Sequence, residues 1–180
     1  LFHEPGGMAV AARTPFAAAL AVSDMALQFA PNADVQVKWP NDVRIHRAKL
    51  SGILIETGMS GAETWVAAGM GINVTHAPEG AGQSATSIAA LRGDTVITAA
   101  MVFDALRDSF SARLVEARSG FSTLRKSWLE RAEGLGGTIR VNASAEPVEG
   151  IFEDMDETGA LILRLPDGTR QTIRAGDVDL

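Results

Sequence analysis

Apolar and polar residues alternate with different periods along the chain, and each period predicts a different element. From Pro15 to Phe29, Phe16, Ala19, Leu20, Ala26 and Leu27 recur at helical spacing behind a proline suited to a first turn, so an amphipathic helix is expected. Val35 to Trp39 then alternates as a half-buried strand does, Pro40 interrupts it, and Asn41-Asp42 turns the chain. Val43 to His46 alternates again and Arg47-Ala48 reads as a turn. Leu50 to Glu56 is an apolar run of strand length, and Thr64 to Val74 returns as a buried strand after a loop at Gly58 to Ala62. These strands are expected to share one sheet.

Beyond them, the Gly-, Ala- and Pro-rich stretch from Thr75 to Gln83 reads as a surface loop whose length favours a functional role. Phe103, Leu106, Phe110 and Leu114 keep a helical stripe between Asp94 and Arg118, with Asp94 or Thr95 as cap and Gly120 as stop. A second helix is expected over Ser122 to Glu133, with Gly134 at its C-cap. From Thr138 the period becomes two. Thr138 to Val141, Val148 to Glu153, Leu161 to Leu165 and Thr169 to Arg174, with turns at Glu157 to Gly159 and Pro166 to Gly168, predict a small antiparallel barrel appended to an α/β body. The boundary falls near Leu135-Gly136-Gly137, dividing the chain into residues 1–135 and 136–180.

Composition narrows the chemistry. The 180 residues are 46% hydrophobic and 21% charged, enough apolar surface for a folded core. The net charge of -6 argues against broad phosphate-backbone binding, and so against a DNA partner. The absence of cysteine excludes disulfides, thiolate nucleophiles and Cys-based zinc sites. Apolar runs shorter than the roughly 18 residues of a membrane span, with no basic and apolar leader, read as a cytoplasmic protein with no membrane partner. His3, His46 and His76 lack ligand spacing, and no Gly-x-Ser-x-Gly occurs, which disfavours zinc and serine hydrolysis.

Three short segments carry candidate chemistry. Lys38-Trp39-Pro40-Asn41-Asp42 joins a cation, an indole, an amide and a carboxylate at a strand-to-turn junction. It suits a polyphosphate with its Mg²⁺, or else a surface salt bridge and an Asx turn. Lys49, three residues before Gly52, suits charge stabilisation in acyl transfer, or else a solvated hairpin end. Gly69-Met70-Gly71-Ile72-Asn73-Val74 lacks the third glycine of a dinucleotide fingerprint. Its glycines allow a ligand, or a packed helix, to approach the strand backbone closely.

In order and spacing, Lys38 to Asp42, Lys49 to Glu56 and Gly69 to Val74 resemble the core motifs of biotin protein ligases. The likeness continues through Ala85 to Ile88, Trp128, Gly159 to Leu163 and Gly176 to Val178. The resemblance implies a mixed sheet with flanking helices, related to class II aminoacyl-tRNA synthetases, plus a C-terminal SH3-like β-barrel. It implies that biotin and MgATP form biotinoyl-5′-AMP and that the acyl group passes to a lysine of a biotin carboxyl carrier domain. By the same resemblance Lys49 is catalytic and, with Gly52, Ile53 and Gly69, binds biotin. Lys38, Asn41, Asp42, Ile72 and Asn73 serve ATP, and Asp42 meets Mg²⁺ only indirectly, with no tightly bound metal. A homodimer through an exposed sheet edge is a further expectation. Lipoate or octanoate transfer is the nearest alternative, which the Trp-Pro-Asn-Asp signature disfavours, and a noncatalytic biotin- or carrier-binding relative is the other.

Family members also carry an upstream Gly-Arg-Gly-Arg-Arg-Gly loop, and Arg13 is the one early arginine or lysine here. With Leu1 in place of Met, the resemblance implies a catalytic core incomplete at its N-terminal side. It also implies impaired adenylation by these residues alone, and no support for the repressor role of some relatives. His46-Arg47-Ala48 stands where the family commonly has a glycine turn.

Overall fold

A computed structural model describes residues 1–78, 84–93, 96–142 and 146–180. The expected caps Asp94 and Thr95, and residues 79–83 of the expected loop, lie outside them. The first of two five-stranded sheets runs β1-β5-β4-β3-β2, from β1 (Phe2–His3), β2 (Val35–Lys38), β3 (Asp42–Ile45), β4 (Ala48–Ser60) and β5 (Glu63–Ile72). The second runs β10-β6-β7-β8-β9, from β6 (Thr138–Asn142), β7 (Val148–Met155), β8 (Leu161–Arg164), β9 (Arg170–Ile173) and β10 (Asp177–Asp179). Named strands pair antiparallel, and among the described residues parallel contact is confined to the bridges Val37 to Ala132 and Lys49 to Ala85. Five helices accompany them among the described residues: α1 (Gly7–Ala11), α2 (Thr14–Phe29), α3 (Ile88–Arg92), α4 (Ala99–Ser119) and α5 (Phe121–Leu129).

α2 packs on the first sheet and against α4 and α5. It is buried on every side from Phe16 to Ser23, so it is a core helix rather than the amphipathic one expected. By length and composition Gly7–Phe29, 23 residues, would suffice to cross a membrane, which the apolar run lengths did not predict; 67% of its apolar window is buried inside the protein.

Several boundaries move for local reasons. α4 starts after Thr98, whose hydroxyl accepts from the Met101 amide at 3.3 Å. Its buried stripe is Val102, Leu106, Ser109 and Ala117, leaving Phe103 exposed. α5 stops at Leu129, short of the expected Glu133, because residues 131–133 join the edge of β2. There the Val37 amide donates to the Arg131 carbonyl and the Glu133 amide to the Val37 carbonyl, each at 2.9 Å. β4 runs on to Ser60, through the expected loop, and turns at Gly61.

The β3–β4 turn is His46-Arg47 rather than Arg47-Ala48. Both residues have positive φ, 49° and 65°, in the left-handed region that favours Gly or Asn. The Arg47 carbonyl accepts from Arg44 Nη2, and the His46 amide donates to the Asp34 carbonyl at 3.2 Å, which holds the turn closed.

Candidate functional site

One residue sets the arrangement of the site. Val43 faces Ser51 but Arg44 faces Lys49, so Leu50 is an extra residue in β4. Along a regular strand Lys49 and Gly52, three apart, would point to opposite faces; the bulge returns them to the same one. Leu50 and Ser51 are buried, while the Lys49 ammonium reaches back over Gly52. A row then crosses four strands in register: Lys38 beside Asp42, Asp42 beside Gly52, Gly52 beside Gly71.

Lys49 Nζ lies 2.7 Å from Asp42 Oδ1, and both sit above Gly52, where an added Cβ would be 3.5 Å from the ammonium. Gly69 and Gly71 continue the floor along β5, opposite Leu54 and Gly52. A Cβ added at Gly52, Gly69 or Gly71 meets no described residue closer than 3.5 Å. Packing within the protein therefore does not require glycine at any of the three. Above this floor is a cavity of about 790 Å³, walled by Lys38, Trp39, Asn41, Asp42, Lys49 and Leu54, and on the far side by Asn142 and Asp177 to Asp179. Leu54 is 66% exposed there, an unusual place for leucine inside a strand.

Asn41 clamps the β2–β3 corner onto β4: its carbonyl accepts from the Ile53 amide at 2.9 Å and its Nδ2 donates to the Ile53 carbonyl at 3.1 Å. Ile53 is buried, with its backbone groups spent on Asn41, so it contributes position rather than a free donor. Asn73 acts likewise. Its Nδ2 donates to the carbonyls of Lys49 at 3.3 Å and Thr86 at 3.0 Å, tying β4 to residues 84–88 beside a smaller cavity of about 260 Å³. Ile72 packs against the core. Of the expected residues, Lys38, Asn41, Asp42, Lys49, Gly52, Ile53 and Gly69 line the larger cavity, while Asn73 lines the smaller and Ile72 lines neither.

Trp39 is buried, and its indole N–H donates to the Gly159 carbonyl at 3.1 Å, which couples the corner to the second sheet. The sequence marked neither this clamp nor the wall supplied by Asn142 and β10. The resemblance covers Gly159 and Gly176 to Val178 but gives them no part in the site. Among the described residues no three His, Asp or Glu side chains converge to hold a metal. Asp42 keeps one carboxylate oxygen without a protein partner there, which suits a metal carried in by phosphates and met through water.

Two family profiles match the chain: the biotin/lipoate A/B protein ligase family over residues 10–73, and the biotin protein ligase C-terminal domain over residues 134–180. A biotin-acetyl-CoA-carboxylase ligase of Paracoccus denitrificans is 38% identical over 96% of this chain and 75% of its own length. Its counterpart in Mycobacterium tuberculosis is 35% identical over 90% of this chain and 60% of its own. A biotin protein ligase of Aquifex aeolicus, solved in complex with biotin and ATP, superposes with a TM-score of 0.77 at 22% identity, covering 93% of this chain and 70% of that one.

Proposed function

The chain belongs to the biotin protein ligase family, and on that basis we propose that it activates biotin with MgATP to biotinoyl-5′-AMP and transfers the biotinoyl group to a lysine of a biotin carboxyl carrier domain. The observation that carries the reading is the glycine floor under the Lys49 ammonium. Three strand glycines that the protein's own packing does not need leave room for a ligand against bare backbone, with one cation above it.

On this reading Lys49 stabilises the negative charge of the carboxylate and then of the acyl phosphate. Asp42 orients the ammonium and neutralises it between turnovers. Gly52 and Gly69 let the biotin rings lie on the sheet, with Ile53 held beneath by Asn41. Lys38 faces the phosphates, as does Asp42 through the metal that accompanies them. Asn41, Asn73 and Ile72 act through position: the first two pin the backbone on either side of the nucleotide, and the third packs beneath it. Mg²⁺, when bound, supplies charge neutralisation of the triphosphate. Residues 1–135 form the catalytic part and 136–180 a closing module, a division supported by the turn at Gly134 to Gly137 and by the second profile's start at 134. A cytoplasmic location goes with ATP-dependent modification of a carrier.

Transfer from preformed biotinoyl-5′-AMP to a carrier domain, followed by intact mass, tests the reading. This chain is expected to add one biotinoyl group faster than buffer does, and Lys49→Ala to slow that about a hundredfold or more. No acceleration over buffer, or lipoyl-AMP used in preference, overturns it.

A further inference from the structure

Beside the main cavity is a second recess of about 400 Å³, reached past Lys38, Val178 and Asp179, which wall both. Its other walls are Arg44, Arg47, Ser84 and Leu180. We propose that this recess receives inorganic pyrophosphate, the leaving group of the adenylation step; the inference rests on the ligase reading above. In that step a biotin carboxylate oxygen forms a bond to the α-phosphorus of ATP. The bond from that phosphorus to its bridging oxygen breaks, and pyrophosphate departs with the electron pair, no proton being transferred.

Three observations converge on this recess. First, its cations are only partly satisfied by the fold. Lys38 makes no ion pair or side-chain hydrogen bond among the described residues. Arg44 spends Nη1 on both Glu133 oxygens at 3.1 Å and Nη2 on the Arg47 carbonyl, while its Nε is buried with no partner among the described residues. Arg47 is 73% exposed and touches Glu133 only at 3.8 Å. Against this cluster stand Glu133, Asp179, which accepts from Asn142, and Asp42, which lies in register beside Lys38.

Second, Arg44 stands directly across from Lys49, a like-charge pair in which Glu133 compensates the first cation and Asp42 the second. Opposed cations destabilise a strand pair, and a bound polyanion removes that cost. Third, Arg47 occupies a left-handed turn position at φ 65° where glycine would be relaxed. Glu133 is already met by Arg44 through both oxygens, so the fold gains little from a second arginine there. A function that needs the guanidinium accounts for its presence on a strained backbone. The place is right for a leaving group: it adjoins the main cavity at Lys38, on the side proposed for the phosphates, and Gly69 is not among its walls.

Titration calorimetry with inorganic pyrophosphate and Mg²⁺ decides the matter, using this chain, Arg47→Gly and His46→Gly. Both variants relax the same turn, so neither is expected to lower Tm, and only the first removes a cation. Arg47→Gly should weaken pyrophosphate roughly tenfold, as loss of a charge-assisted contact does, with His46→Gly unchanged and biotin affinity the same in all three. No binding by the parent chain, equal affinity in Arg47→Gly, or an equal loss in His46→Gly overturns the proposal. Pyrophosphate binding that depends on Arg47 in a chain that does not bind biotin would instead sink the ligase reading and leave the anion site standing.

Discussion

The two faces of the first sheet treat glycine and charge in opposite ways. On the side of α2 the chain closes on itself. Gly159 has φ 87° and lies so close to the Phe16 ring that a Cβ would overlap it. Phe16 in turn is wedged edge-on against Phe121 and Trp128, with ring centroids 5.2 and 6.0 Å away. The charges there are saturated: Asp24 accepts from Arg113 at 2.7 and 3.1 Å and from Arg131 at 2.7 Å. On the cavity side, Gly52, Gly69 and Gly71 have room for a methyl group, and Lys38 has no partner among the described residues. A glycine its own neighbours enforce belongs to the fold, whereas a glycine that no described neighbour enforces leaves bare backbone open to the cavity.

That contrast is sharpest in a pair of substitutions. Gly159→Ala should cost about 3 kcal/mol or more, from overpacking against rings that cannot yield plus a strained φ, read as a lower urea midpoint. Gly52→Ala adds a methyl group in ordinary contact with Lys49, at 3.5 Å, and with Asp42, at 3.7 Å, so stability should stay within about 1 kcal/mol and can rise, since alanine is less costly to order in a strand. Its biotin affinity should nevertheless fall about tenfold, or ~1.4 kcal/mol. If Gly52→Ala destabilised the protein as much as Gly159→Ala, the distinction between the two kinds of glycine would collapse.

The sequence made one half of this arrangement more readable than the other. Lys38 to Asp42, Lys49 and Gly69 to Asn73 stand out because their residue types are odd for strands: a tryptophan next to proline, a lysine heading an apolar run, glycines inside one. The bulge at Leu50 leaves no such mark, yet it alone places Lys49 over Gly52. The wall from Asn142 and β10 and the Trp39 clamp on Gly159 are contacts across about a hundred residues or more, which local periodicity does not encode. The burial of α2 was hidden for a related reason. An alanine-rich helix carries little contrast between its faces, and only the elements packed around it determine that all of them are covered.

The saturated charges give the last and smallest test. Burial pushes the Asp24 carboxyl up, but hydrogen bonds and charge from Arg113 and Arg131 outweigh it and hold the group below its ordinary value of 3.8. A carboxylate whose pKa is depressed by folding contributes stability that is fully present above the unfolded value and is lost as pH falls through the folded one. Tm should therefore be level near neutrality and drop below about pH 4. Glu4, likewise burdened by burial but lowered overall by Arg118 and the Gly6 amide, contributes in the same window. Asp24→Asn should cost about 1 kcal/mol at neutral pH, since the pair is partly open to water. It should also reduce, without abolishing, the slope of Tm on the acid side. Because Asp24 lies on the closed side of the sheet, adenylate affinity at neutral pH should not change. A parallel loss of affinity would mean that the two faces are mechanically coupled, through Arg131 and its neighbours on the edge of β2, and that closure on one side helps to set the geometry of the other.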